Sequence, residues 1–98
     1  MKIGTYVIVR ANEAGCFAGV LIAQDDSIRK VVLDNCRRLW YWKGAASLSQ
    51  MAIDGVSKPK ECKFPAPVNG HEVLGVIEII QVTDVARASI EGVPVWRE

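Results

Sequence analysis

Tyr6 to Val9 is an unbroken apolar quartet inside the run Thr5 to Arg10 (TYVIVR), and Gly15 to Ala23 (GCFAGVLIA) repeats the same β-branched and aromatic character after the polar break Asn12-Glu13. The two runs predict a pair of hairpin strands. Asp25-Asp26-Ser27 is turn chemistry, and Ile28 to Asn35 (IRKVVLDN) predicts a third strand, which makes a three-stranded meander. Arg37 to Trp42 (RRLWYW) is a fourth extended candidate, because three large aromatics in a row fit a pleated strand better than one helix face. After Lys43-Gly44 the period changes. Leu48, Met51 and Ala52 are spaced for a helix over 45–54, with Gly55 placed to end it.

Glu61 to Val68 (ECKFPAPV) is extended but carries Pro65 and Pro67, which confines it to an edge or an irregular segment. Asn69-Gly70 signals a tight turn. Glu72 to Val82 (EVLGVIEIIQV) is nearly continuous in apolar residues and predicts the strongest, most central strand. Thr83 as N-cap, Asp84 in the first turn and Gly92-Pro94 as a stop predict a second helix over 84–91, and Val93 to Trp96 predicts a last strand. No repeat or linker interrupts the chain, so residues 1–98 read as one compact α+β domain. It is a mostly antiparallel sheet of about six short strands with two short helices.

Composition narrows the function more than it narrows the fold. Twelve basic side chains stand against eleven acidic ones, so the chain lacks the broad positive field of a bulk nucleic-acid or anionic-membrane binder. No apolar run approaches the roughly 18 residues of a membrane span, and MKIGTYVIVR lacks a signal-peptide pattern; a cytoplasmic protein is expected. Cys16, Cys36 and Cys62 are too widely spaced for a zinc ribbon and odd in number, and read as buried thiols in a reducing compartment. The single histidine, His71, reads as a solvated turn residue. No glycine-rich phosphate loop, zinc-protease helix or C-x-x-C pair occurs, and Asp25-Asp26 lies in a turn, so the expectation is a non-enzyme without metal or cofactor.

The local chemistry is concentrated between Arg29 and Lys43. Five basic side chains there (Arg29, Lys30, Arg37, Arg38, Lys43) face Asp34 alone. Arg37-Arg38-Leu39-Trp40-Tyr41-Trp42 interleaves guanidinium forks with aromatic rings and runs into Gly44, Ala45, Ala46, Ser47 and Ser49, small and hydroxyl residues at a helix start. Bidentate arginine, stacking rings and helix-end N–H groups suit a phosphorylated nucleotide. Arg10 and Phe64 are further candidates for a guanidinium and a ring. Core packing competes for Phe64, for Phe17 and for one of Trp40 and Trp42, and turn formation competes for Asn35. A subunit interface explains the Arg-aromatic run equally well.

The segments YVIVR, AGCFAGVL, NCRRLWYWKGAASLSQMAIDGV, ECKF, VIEIIQVT and ASIEGVPVW together resemble short proteins encoded by phages and prophages, RRLWYW followed by GAASLSQ being the most specific part. Within that group the chain resembles the first Thoeris anti-defence family. The resemblance implies a small β-rich homo-oligomer, dimer or hexamer, in the cytoplasm of an infected bacterial host. It would sequester a cyclic ADP-ribose isomer, or a cyclic oligonucleotide of CBASS immunity, without cleaving it. The competing expectation is a non-catalytic phage protein-interaction module that uses the RRLWYW strand.

Overall fold

A computed structural model describes residues 1–98. Five strands, β1 (Tyr6–Ala11), β2 (Gly15–Asp25), β3 (Lys30–Arg38), β4 (His71–Leu74) and β5 (Val76–Gln81), form one antiparallel sheet in the order β4-β3-β2-β1-β5. Two helices, α1 (Leu48–Asp54) and α2 (Asp84–Glu91), complete an α+β domain. The meander of β1, β2 and β3 is as the pattern predicts. Asp25 turns β2 into β3 by accepting the Ser27 N–H and hydroxyl.

The expected central strand over 72–82 is different. Gly75, at φ 72°, breaks it into β4 and β5, which lie at opposite edges of the sheet. A left-handed φ is cheap for glycine, and here it turns one apolar run from β3 to β1. Val76 N–H donates to Arg29 O (3.0 Å) on one side of the bend, and Gly75 O accepts from Asn12 N–H (2.8 Å) on the other. The sheet therefore curls into a partial barrel.

Curling gives the strands two buried faces. Val7, Val9, Phe17, Leu21, Leu33 and Cys36 fill the barrel interior. Tyr6, Ile8 and Ala18 point the other way, under a second core built with Met51 and Ala52 of α1, Ala86 and Ile90 of α2, and Phe64. The unbroken YVIV run follows from that double burial, because a strand covered on both faces has no polar alternation to show.

α1 begins at Leu48, three residues later than expected. Ser47 caps it by accepting the Gln50 N–H (3.1 Å), and the Gln50 side chain accepts the Ala46 N–H (2.8 Å), which leaves Ala45 and Ala46 outside the helix. α2 matches its expected span, with Thr83 Oγ1 accepting the Ala86 N–H. RRLWYW is not a strand of its own: β3 ends at Arg38, and beyond it Tyr41 forms an isolated bridge with Lys63. Val93–Trp96 makes only a single parallel bridge, Val95 to Phe64.

One side chain ties these irregular pieces together. A bulge at Asn35, whose φ of 51° is left-handed, resets the β3 alternation so that Cys36 enters the barrel and Arg37 leaves it. Arg37 is only 3% exposed, and all five of its N–H groups donate to main-chain carbonyls. Nε reaches Pro65 O (3.1 Å), Nη1 reaches Ile90 O (3.0 Å) and Val93 O (2.7 Å), and Nη2 reaches Phe64 O (2.8 Å) and Pro94 O (3.4 Å). Its guanidinium also lies 5.6 Å from the centre of the Phe64 ring. Arg37 makes no salt bridge; its partners are the negative ends of five peptide dipoles, one of them in the last turn of α2, where a cation is favoured. Burial lowers the Arg37 pKa from its ordinary value, and the group remains the cation that those carbonyls require.

Removing the fork leaves three carbonyls without another donor in the chain, at about 1–3 kcal/mol for each that stays buried, a large share of the roughly 5–15 kcal/mol by which a domain is stable. Arg37→Ala is expected to lose about that much in urea unfolding, and Arg37→Lys most of it, since an ammonium has three donors and no planar fork. Stability is also expected to fall in alkali. Burial pushes the Cys36 thiol up from 9.0 to about 12, against the pull of Arg38, and raises the Tyr6 phenol above its ordinary 10.0, with Glu91 adding to the rise. Both groups fold as neutral acids that ionise more easily unfolded, so their contribution is full below about pH 9 and is lost as pH rises from there. Urea midpoints measured across the alkaline range test this; a flat profile contradicts it.

Candidate functional site

Arg37 and Arg38 are neighbours in sequence with opposite surroundings. Arg37, expected to hold phosphate, has no donor left for a ligand, and that expectation is corrected: its fork is occupied by the chain itself. Arg38 points to the other side of β3. Its guanidinium lies 4.6 Å from the centre of the Phe17 ring, its register partner on β2, and Nη1 donates to Ala14 O (2.8 Å). The remaining four N–H groups make no hydrogen bond within the chain. The other edge of Phe17 meets the His71 ring at 5.1 Å, so His71 is held as the first residue of β4 and is not a free turn residue.

Leu39, buried in the helix-side core, still donates its N–H to Cys16 O of β2 (2.8 Å), and beyond it the chain leaves the sheet. That exit throws Trp40 outward, 63% exposed, and turns Trp42 back to lie half-buried against the same core. Trp40, Trp42 and Arg38 face the β1–β2 hairpin, whose Glu13, Ala14, Gly15 and Cys16 form the opposite wall of a cleft of about 330 Å³. Glu13 sits at φ 70°, the left-handed position of that turn. The hairpin wall is not visible in the sequence, since it depends on the two register shifts that set Phe17 opposite Arg38.

The other expected site residues lie elsewhere. Phe64 is wholly buried and cannot stack on a ligand. Arg10 pairs with Glu78 (3.1 Å) on the outer face of β1 and β5. Tyr41 is exposed but faces Lys63, whose Nζ lies between the Tyr41 and Trp96 rings at 5.8 and 5.6 Å.

The segment from Gly44 to Ser49 offers no helix-end anion site. Gln50 takes the Ala46 N–H and the Ser47 hydroxyl oxygen internally, α1 is only seven residues long, and a Cβ on Gly44 would come within 2.5 Å of Ser57 N, so that glycine serves close packing against the 57–58 backbone and not ligand approach. Asn35, expected at a turn, lies instead at the bulge within β3: its N–H donates to Asn69 Oδ1 (2.9 Å), and Nδ2 donates to Glu91 Oε2 (2.8 Å). The structure therefore brings together Arg38 and Trp40 of the expected set, adds the hairpin, and places the rest elsewhere, Arg37 and Phe64 in the core, Arg10 in an ion pair and Ser49 exposed on α1.

Residues 4–90 match the model of a family described as Domain of unknown function (DUF6948), and the chain belongs to that family. No curated protein and no solved structure matches it. No helix of the chain is long and apolar enough to cross a membrane.

The thiol in the cleft is held in its neutral form. Burial raises the Cys16 pKa, with Arg10 pulling it down and Glu78 pushing it further up, so its thiolate fraction at neutral pH lies below that of an ordinary cysteine. Alkylation of the native protein is expected to modify Cys16 slowly and to leave Cys36 and Cys62, which are buried, untouched until the chain unfolds. Mass mapping of iodoacetamide adducts checks the order. Preferential labelling of Cys36 would contradict the fold.

Proposed function

We propose that this protein is a non-catalytic binding module whose Arg38–Trp40 cleft holds a phosphorylated, planar-ringed ligand: a cyclic nucleotide signal of bacterial immunity, sequestered without cleavage. The observation that carries the reading is a guanidinium with four unpaired N–H groups beside a 63% exposed tryptophan across one cleft. Because Phe17 and Ala14 O hold the Arg38 fork in place, little side-chain freedom remains to be lost when an anion binds. A base stacked on an aromatic side chain contributes about 1–3 kcal/mol. Resemblance to phage anti-defence sponges supports a cyclic ADP-ribose isomer or a cyclic oligonucleotide as the ligand, and the cytoplasm of an infected host as the setting.

The cleft volume bears on stoichiometry. At about 330 Å³ it is at the low end of the roughly 300–1,000 Å³ typical of small-molecule sites. It suits one nucleotide unit, and a larger cyclic ligand would need a wall from a second protomer, in keeping with a homo-oligomer. Draining a scarce signal requires nanomolar affinity, about −12 kcal/mol.

A second reading, a protein-interaction module, is favoured by the neighbouring exposure of Trp40 and Tyr41. Calorimetry with cyclic ADP-ribose isomers and cyclic di- and trinucleotides separates the two. The sponge reading expects at least one tight ligand, recovered unmodified after heat denaturation, and at least tenfold weaker binding by Arg38→Ala and Trp40→Ala. The contact between half-buried Arg38 and the buried Phe17 ring is worth about 1–2 kcal/mol, below the roughly 5–15 kcal/mol by which a domain is stable, so these variants stay folded. No binding across the panel would overturn the sponge reading in favour of the interaction module, and a converted ligand would show an enzyme.

A further inference from the structure

The bend at Gly75 leaves a gap in the wall of the partial barrel. Between the start of β3 and β5 a cleft of about 300 Å³ opens there, within the size range of small-molecule sites, for which barrel mouths are a recurring place. Its floor is apolar and continuous with the barrel interior. Val31 is wholly buried in that core, and Val76 and Ile79 pack half-buried against it. The rim is charged, and one of its charges is free. Glu78 is paired with Arg10 (3.1 Å), Lys30 with Glu72 (3.7 Å), and Asp26 accepts the Gln24 side-chain amide (2.7 Å). The guanidinium of Arg29 lines the same cleft and has no ion pair within the chain. Its backbone is nevertheless fixed: the N–H donates to Asp26 O (3.3 Å), the carbonyl accepts the Val76 N–H (3.0 Å), and φ is 52°. A left-handed position favours glycine or asparagine, and an exposed arginine gains little from packing, so what Arg29 adds at this spot is its charge.

We propose that this cleft binds a small monocarboxylate with an apolar tail, its carboxylate on the Arg29 guanidinium and its tail over Val31, Val76 and Ile79. A guanidinium takes a carboxylate through two parallel N–H···O bonds, so one free arginine is enough for the head group. A single negative charge also suits the rim. A phosphate dianion would bring a second charge towards Asp26 and Glu78 with no further unpaired cation to meet it. The tail is held by removal of apolar surface from water, for which the buried floor is already formed. The cleft shares no residue with the Arg38–Trp40 cleft, so either assignment can fail without the other.

The test is a methyl-resolved NMR titration of the full chain with octanoate, and with octanol as its neutral counterpart. Octanoate is expected to shift the methyl signals of Val31, Val76, Ile77 and Ile79 saturably, at one molecule per chain, and octanol to bind at least tenfold more weakly. Affinity should rise about fourfold for each methylene from hexanoate to octanoate. Arg29→Gly, which removes the guanidinium and suits the left-handed backbone, should bring octanoate down to the affinity of octanol and leave octanol binding unchanged. Arg38→Ala should leave octanoate binding unchanged. Absence of saturable shifts at these methyls overturns the proposal, as does octanol binding as tightly as octanoate, or an Arg29→Gly protein that binds octanoate like the wild type. The comparison of octanoate with octanol on the wild type decides the role of the charge even if the variant fails to fold.

Discussion

Five peptide carbonyls converge on one buried guanidinium, and most of what is irregular in this molecule depends on that convergence. The carbonyls of Phe64, Pro65, Ile90, Val93 and Pro94 come from the proline-containing segment, the end of α2 and the C-terminal stretch, none of which is held by a sheet ladder. Ile90 O and Phe64 O also accept the N–H groups of Val93 and Trp96, but Pro65 O, Val93 O and Pro94 O have Arg37 as their only donor in the chain, and a buried carbonyl left without one costs about 1–3 kcal/mol. Arg37 satisfies all of them with a single planar fork. It thereby fixes Phe64 in the helix-side core and holds α2 against the strands, with Asn35 and Arg87 reinforcing the same helix through Glu91.

The same constraint separates the two neighbouring arginines. The Asn35 bulge sends Cys36 into the barrel, after which alternation puts Arg37 under the irregular segments and Arg38 over Phe17. One arginine becomes part of the framework, and its rigidity is passed to the other. Arg38 leaves the sheet from a strand that cannot shift register without breaking the Arg37 clasp. The cleft wall built on Arg38 and Trp40 is therefore positioned by β3 and by the buried Leu39, and the exposed tryptophan rests on an anchored stem.

How much of this was legible in the chain differs element by element. The meander, α2 and its Thr83 cap followed from alternation and capping chemistry, since each is a local signal acted on locally. The 72–82 run read as one central strand because an apolar run looks the same whether or not a glycine bends it; what decided the outcome was the distant pair of bonds at Arg29 O and Asn12 N–H. Arg37 read as a ligand residue because a guanidinium suited to phosphate is also suited to carbonyls, and only tertiary placement distinguishes them. The small residues from Gly44 to Ser49 were ambiguous in the same way: the Ala46 N–H and the Ser47 hydroxyl are used by Gln50, and the lack of bulk at Gly44 by Ser57. Arg38 and Trp40 were legible, but the hairpin facing them was not, because a strand register containing bulges cannot be counted from the sequence.

The division of labour between the two arginines is the centre of this account, and side-chain nitrogen NMR of the guanidinium groups tests it most directly. Arg37 N–H protons should give resolved signals that exchange slowly with water at neutral pH and do not move when a bound nucleotide is titrated in. Arg38 signals should exchange faster in the free protein and should shift on binding. If Arg37 exchanges as freely as Arg38, or is the one that moves with ligand, then the clasp is not the framework of this fold and the assignment of the site to Arg38 is contradicted.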